Sequence, residues 1–214
     1  MITEDKKYFV IDNFFSPTEY RILKKFFTDP DFDWGYIANV EFGEDVFNQK
    51  ELLNYGFTST LYNSDRGRQV NKNPIITDMF VFNTQRLFDV KNLLRIRVGL
   101  QTPLGKKYVH APHVDFQEPH YTGLFYFSTE RGSGETHIYD TCHDPYKDDM
   151  QSHPANMKSI DTVEAVENRV LFFRGDVYHS SSAPEKIKRR IAVNVNFEGK
   201  PRDANPNKQK TVQQ

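Results

Sequence analysis

Seven histidines occur in the chain, and only His113 is followed two positions later by an aspartate, in His113-Val114-Asp115. On a strand, residues i and i+2 point to the same face. An imidazole and a carboxylate standing side by side can grip one face of a metal ion. The pair alone is a weak signal, because a surface histidine and aspartate on an edge strand would read the same way. A third ligand has a source in His179. It ends the segment Phe172-Phe173-Arg174-Gly175-Asp176-Val177-Tyr178-His179, an apolar strand, a tight turn and then a histidine. Two histidines and one carboxylate on one face of a metal leave its other coordination positions open, the facial arrangement suited to non-haem Fe(II).

Eleven residues after His179 comes Arg190, which opens the run Arg190-Ile191-Ala192-Val193-Asn194-Val195-Asn196-Phe197. Its alternation puts Arg190, Ala192, Asn194 and Asn196 on one face of a strand and four apolar residues on the other. A polar face can be solvated, or it can line a cavity. In a cavity an arginine needs an anionic partner, and a planar guanidinium fits a carboxylate with two parallel hydrogen bonds. A dicarboxylate such as 2-oxoglutarate, chelating iron through its keto acid end, would supply that charge at its far end. Arg189 is a rival for this position. Arg190 is preferred because it directly precedes the apolar alternation and shares its polar face.

The elements that must position these residues are legible in outline. At 214 residues the chain is long enough for one domain with a sizeable core. A helix start is written at Ser16-Pro17-Thr18-Glu19, with a cap, a proline at the first helical position and a capping-box glutamate. A second helix starts at Asn73-Pro74. Strand candidates are 8–11, 34–40 and 57–62, and then, beyond about residue 91, eight short runs: 93–101, 108–115, 121–128, 135–140, 162–166, 169–173, 177–180 and 190–198. Helices first and short strands afterwards suggest a β-sandwich or barrel carrying N-terminal helices. Residues 63–71 and the excursion 141–159 are polar loops and candidate lids. The tail 199–214 is polar and expected to be disordered.

Composition narrows the function classes. Twenty-eight basic residues against 29 acidic ones give no global electrostatic case for a nucleic-acid or membrane partner. The single cysteine, Cys142, excludes an internal disulfide and a cysteine-rich zinc site. The polar N-terminus and the absence of any run of membrane-spanning length make a cytoplasmic protein the default expectation.

Together these segments resemble the Fe(II)- and 2-oxoglutarate-dependent dioxygenases, and within them the prolyl-4-hydroxylase-like branch. The resemblance spans the His113-Val114-Asp115 motif, the 121–128 strand, the Gly134-Glu135-Thr136 turn, the segment 170–179 and the Arg190 strand. The opening Phe9-Val10-Ile11-Asp12-Asn13-Phe14-Phe15-Ser16 and its helix are similar to that branch as well. It implies a double-stranded β-helix, or jelly roll, with helices packed on one sheet, formed by residues 1–198 as a single domain. It implies His113, Asp115 and His179 as iron ligands and Arg190 on the C5 carboxylate of 2-oxoglutarate. Tyr126 stands where the family often puts a tyrosine hydroxyl on that carboxylate, with a core aromatic as the competing reading. Asn194 also falls to the co-substrate side, and Tyr108 and His110 are further candidates for the lining. The implied cofactors are Fe(II), 2-oxoglutarate and O2, with ascorbate as reductant. The implied reaction is hydroxylation of a C–H bond in a prolyl residue, with a free amino acid, another small molecule or a nucleobase as alternatives. Two rival classes stay open: a non-catalytic jelly-roll binding module, and a cupin-type metal enzyme that needs no 2-oxo acid.

Overall fold

The computed structural model describes residues 6–38, 40, 55–64, 70–105, 108–127, 132, 134–148, 157–185 and 188–202. Strand β1 (Tyr8–Ile11) leads into helix α1 (Pro17–Phe27). The expected capping box forms: the Ser16 hydroxyl accepts from the Glu19 amide, and the Glu19 carboxylate accepts from the Ser16 amide. After β2 (Gly35–Ile37), β3 (Gly56–Asn63) and β4 (Val70–Asn71), helix α2 (Pro74–Gln85) is capped by the Asn73 side chain, with Pro74 in its first turn. Both prolines sit where a helix has no use for the missing amide. No described helix is long and apolar enough to cross a membrane.

The rest is β-structure: β5 (Phe88–Gln101), β6 (Tyr121–Tyr126), β7 (Glu135–Cys142), β8 (Ser159–Glu164), β9 (Val170–Arg174), β10 (Val177–Ser181) and β11 (Arg190–Pro201). The strands form two sheets. The larger has the order β1-β9-β6-β11-β5-β3-β2, with β4 paired to β3; the smaller has the order β10-β7-β8. Alternation decides what each face of the large sheet meets. Its outer side chains, among them Ile96, Val98, Phe125, Phe172, Val193 and Phe197, pack with Phe14, Phe15, Leu23, Phe27 and Phe80 from the N-terminal region in one core. Twelve of the chain's 18 phenylalanines lie in that core or pack against it. Its inner side chains Leu124, Tyr126, Leu171, Phe173 and Ala192 pack against Ile138, Val163 and Val177 of the small sheet in a second core. This is the expected jelly roll with helices on one sheet, and the site lies between the sheets, on the inner face.

Two expectations need correction. Residues 108–115 are not a strand. They run beside β10 with isolated bridges at Val109↔Ser182 and His113↔His179. Pro112 lacks an amide in the middle of that run, which breaks a ladder that would otherwise carry both histidines. The last strand also does not end at 198: Gly199, Lys200 and Pro201 pair with Val90, Asp89 and Phe88 of β5, so three residues assigned to the tail belong to the sheet. The remainder of that tail, from 203, lies outside the described residues, as do residues 65–69 of the first candidate lid and 149–156 of the second.

Candidate metal centre

His113 and His179 are brought together by their own backbones. The His113 amide donates to the His179 carbonyl at 2.9 Å and the His179 amide donates back to the His113 carbonyl at 3.0 Å. Their rings stand 4.4 Å apart, centroid to centroid. Asp115 follows in a bend, and one ligand atom from each of His113, Asp115 and His179 lies within 4.8 Å of the others. Both rings are oriented by the main chain. His113 Nδ1 lies 3.3 Å from the Ala111 carbonyl and His179 Nδ1 lies 3.3 Å from the Val177 carbonyl. A carbonyl only accepts, so Nδ1 carries the proton and Nε2 carries the lone pair, the tautomer a metal requires.

Electrostatics favour the ligand forms of all three groups. Burial pulls the His179 imidazole down to about 3 and lowers His113 as well. Both rings are therefore neutral at neutral pH. Burial would raise the Asp115 carboxyl, but the Arg95 guanidinium, and after it the two imidazoles, outweigh that and hold it well below the usual carboxylate range. Arg95 Nη2 meets Asp115 Oδ1 at 2.8 Å. The other oxygen accepts from Asn196 Nδ2 at 2.9 Å and from Thr122 Oγ1 at 3.1 Å. A carboxylate has about four acceptor positions, so this cradle fixes Asp115 without exhausting it. Two neutral imidazoles and one ionised carboxylate fit Fe(II) or a similar first-row divalent ion.

A pocket opens beside the triad, lined on one wall by the antiparallel ladder of β5 and β11. Four rungs of that ladder carry the site: Arg95↔Asn196 at Asp115, then Arg97↔Asn194, Gly99↔Ala192 and Gln101↔Arg190. At about 3.4 Å per residue the wall spans roughly 14 Å from Asn196 to Ala192 and roughly 20 Å to Arg190. The rung before Arg190 holds only a hydrogen and a methyl group, which leaves the wall open there for a narrow ligand. Arg190 is 5% exposed, and it reaches Gln101 Oε1 at 3.3 Å and Thr136 Oγ1 at 3.1 Å. Its rival Arg189 is exposed, so burial separates the two.

The other candidates divide. Asn194 lines the pocket. Tyr126 is fully buried and does not line it; the guanidinium of Arg190 lies over its ring at 5.6 Å, and its hydroxyl donates to Thr136 Oγ1 at 2.8 Å. Tyr126 therefore supports Arg190 and Thr136 from the core side. His110 is buried, with its ring nitrogen 3.2 Å from the Gln101 amide nitrogen, and Tyr108 packs edge-on against it. Neither belongs to the pocket lining. Sequence reasoning missed Arg95, Arg97 and Thr122. The first two did leave a signal: Arg95, Arg97, Gly99 and Gln101 share a face of a strand whose alternate residues Ile96, Val98 and Leu100 are apolar.

No family model matches the chain, and no curated protein matches it by sequence. Solved structures do match by shape. The non-haem α-ketoglutarate-dependent carbocyclase SnoK of nogalamycin biosynthesis aligns with a TM-score of 0.59 at 10% identity, covering 97% of this chain and 87% of its own. A Pseudomonas putida prolyl-4-hydroxylase aligns at 0.54 and 10% identity, covering 93% and 95%. HygX from Streptomyces hygroscopicus, solved with nickel and 2-oxoglutarate bound, aligns at 0.50 and 11% identity, covering 92% and 87%. The chain shares the jelly-roll fold of 2-oxoglutarate- and Fe(II)-dependent oxygenases.

Proposed function

We propose that the protein is an Fe(II)- and 2-oxoglutarate-dependent dioxygenase that hydroxylates a C–H bond of its substrate. The observation that carries this reading is the convergence of His113, Asp115 and His179 within 4.8 Å, in a pocket whose wall also holds the buried Arg190. In this reading the three side chains hold the iron, and Arg190 takes the C5 carboxylate of 2-oxoglutarate by charge-assisted hydrogen bonds. Gly99 and Ala192 leave room for its carbon chain. Tyr126 and Thr136 brace the guanidinium, and Asn194 faces the co-substrate from the wall. Iron, when bound, would activate O2, which is the oxidant: two of its electrons come from 2-oxoglutarate, released as succinate and CO2, and two from the C–H bond that is hydroxylated. Arg95, Thr122 and Asn196 hold Asp115 ionised and oriented throughout. The substrate favoured by the sequence resemblance is a prolyl residue; a free amino acid, another small molecule or a nucleobase are the alternatives.

The test is anaerobic addition of Fe(II) and 2-oxoglutarate to the metal-free protein, followed by air. A weak visible absorption band and then succinate are expected, and His179→Ala abolishes both. Arg190→Gln raises the 2-oxoglutarate concentration needed about 100-fold, the loss of one charge-assisted pair. A protein that forms neither band nor succinate is a binding module. One whose oxygenase activity survives Arg190→Ala unchanged needs no 2-oxo acid.

A further inference from the structure

Arg97 is a second guanidinium in the wall of the pocket, and the co-substrate reading does not use it. It rises from β5 one rung from Arg95 and two rungs from Gln101, the partner of Arg190. Its Nε donates to Thr58 Oγ1 at 2.8 Å, and Thr58 in turn donates to the Val98 carbonyl at 2.9 Å. That anchor fixes the plane of the guanidinium, while its two terminal nitrogens meet no acceptor among the described residues. It lies close enough to the triad for its charge to act on His113, and for Asp115 to act on it. Burial and the neighbouring Arg95 both work against its charge. Asp115 gives no relief by direct contact, because its oxygens are held by Arg95, Thr122 and Asn196.

A partly desolvated cation with an unused donor fork is costly unless an anion arrives. The co-substrate does not supply that anion in the proposed arrangement. One of its carboxylates goes to Arg190 and the other to the metal, while Arg95 is spent on Asp115. Among the described residues Arg97 is left as an unmatched positive charge in the lining of the same cavity, which also includes the apolar side chains of Ile37, Val40 and Phe57. We infer that the primary substrate carries a carboxylate and that Arg97 binds it, holding an adjoining carbon against the metal centre. This rests on the reading of the site as an Fe(II)/2-oxoglutarate oxygenase, and it narrows the substrate class to carboxylic acids with a compact apolar part. A planar carboxylate meets the two terminal nitrogens in parallel. The carboxylate can belong to a free amino acid or to an acidic side chain in a peptide.

The experiment uses the full-length protein saturated with Ni(II) and 2-oxoglutarate, which fills the metal and Arg190 positions without turnover. Free L-amino acids are titrated calorimetrically beside their own carboxamides, together with N-acetylated, C-amidated peptides that do or do not contain an aspartate or glutamate. At least one carboxylate is expected to bind about 10-fold or more tightly than its carboxamide. Arg97→Gln removes that ratio, Arg97→Lys retains part of it, and Thr58→Val, which frees the Nε anchor, weakens it. Preference among free acids or among acidic peptides identifies the source of the carboxylate. Equal binding of acids and amides, no binding of any probe, or an unchanged ratio in Arg97→Gln overturns the inference. So does a loss of 2-oxoglutarate affinity in Arg97→Gln as large as that in Arg190→Gln, which would assign Arg97 to the co-substrate. Succinate formation by the iron-loaded protein is measured in parallel. Its absence overturns the oxygenase reading, whereas the acid-to-amide ratio on the nickel-loaded protein reports on Arg97 independently.

Discussion

Replacing Arg95 by methionine tests whether Asp115 is kept ionised by a partner that is not a metal. The side chain of Asp115 is 6% exposed and that of Arg95 is 20% exposed, with 2.8 Å between them. Methionine preserves the aliphatic stem next to the Phe116 ring, over which the guanidinium now lies, and removes only the charge and its donors. Taking one partner from a buried ion pair costs about 3–5 kcal/mol. Thr122 and Asn196 continue to donate to the carboxylate and Arg95 is not wholly desolvated, so the low end applies, about 3 kcal/mol at pH 7. The sign of the pH dependence follows from the carboxyl. In the wild type its folded pKa lies below the unfolded value, so it contributes stability above the unfolded pKa and loses it as pH falls through the folded one. Without Arg95, burial dominates and raises the folded pKa, so the deficit is largest at neutral pH and shrinks on acidification. Ni(II) at the triad also supplies positive charge and narrows the deficit. Urea unfolding followed by the fluorescence of Trp34, with and without Ni(II), at pH 7 and pH 4.5, measures all of this. A metal-free Arg95→Met variant as stable as the wild type at pH 7 would refute the argument.

Three further outcomes are expected. His110 is held neutral down to about 3 by burial and by Arg190. The unfolded chain takes up its proton near 6.5 and the folded chain refuses it, so His110 accounts for about 2 kcal/mol of the stability lost between pH 7 and pH 5; urea titrations at both pH values should find the total loss smaller by about that amount in His110→Gln, the part due to His113 and His179 remaining. The His179 imidazole is already neutral at pH 6 and burial also lowers His113, so Ni(II) affinity measured by calorimetry should change less than about 4-fold between pH 8 and pH 6, the most that one histidine at its ordinary value would give. A pair of ordinary histidines would lose about 15-fold over that range. Gly134 has φ of +91°, and a Cβ there would run into the Ser182 carbonyl oxygen; Gly134→Ala should lower stability by at least about 2 kcal/mol in thermal unfolding.

What the sequence made legible was local. The caps at Ser16 and Asn73 are written within four residues, and the apolar alternation of β11 announced both its core face and its polar face. What it concealed depends on neighbours far away in the chain. Nothing near Asp115 reveals that Arg95, 20 residues before it, and Asn196, 81 residues after it, meet at its two oxygens. Strand order brings them together, and strand order is not encoded in any short window. The segment at 108–115 read as a strand because its alternation is strand-like, yet Pro112 leaves it only bridges. His113 and Asp115 converge all the same, through a bend rather than the pleat. Nor does a short window show how deeply His113 and His179 are buried, and that burial lowers the protonation of both rings.

The reciprocal main-chain bridge between His113 and His179 has a consequence for observing the protein at work. Their two amide hydrogens are locked in one small ring, and that ring must open whenever the two ligand-bearing segments separate. Deuterium uptake at these two positions is thus a gauge of how often the cage comes apart. Any ion that fastens the imidazoles together should slow both exchanges in step.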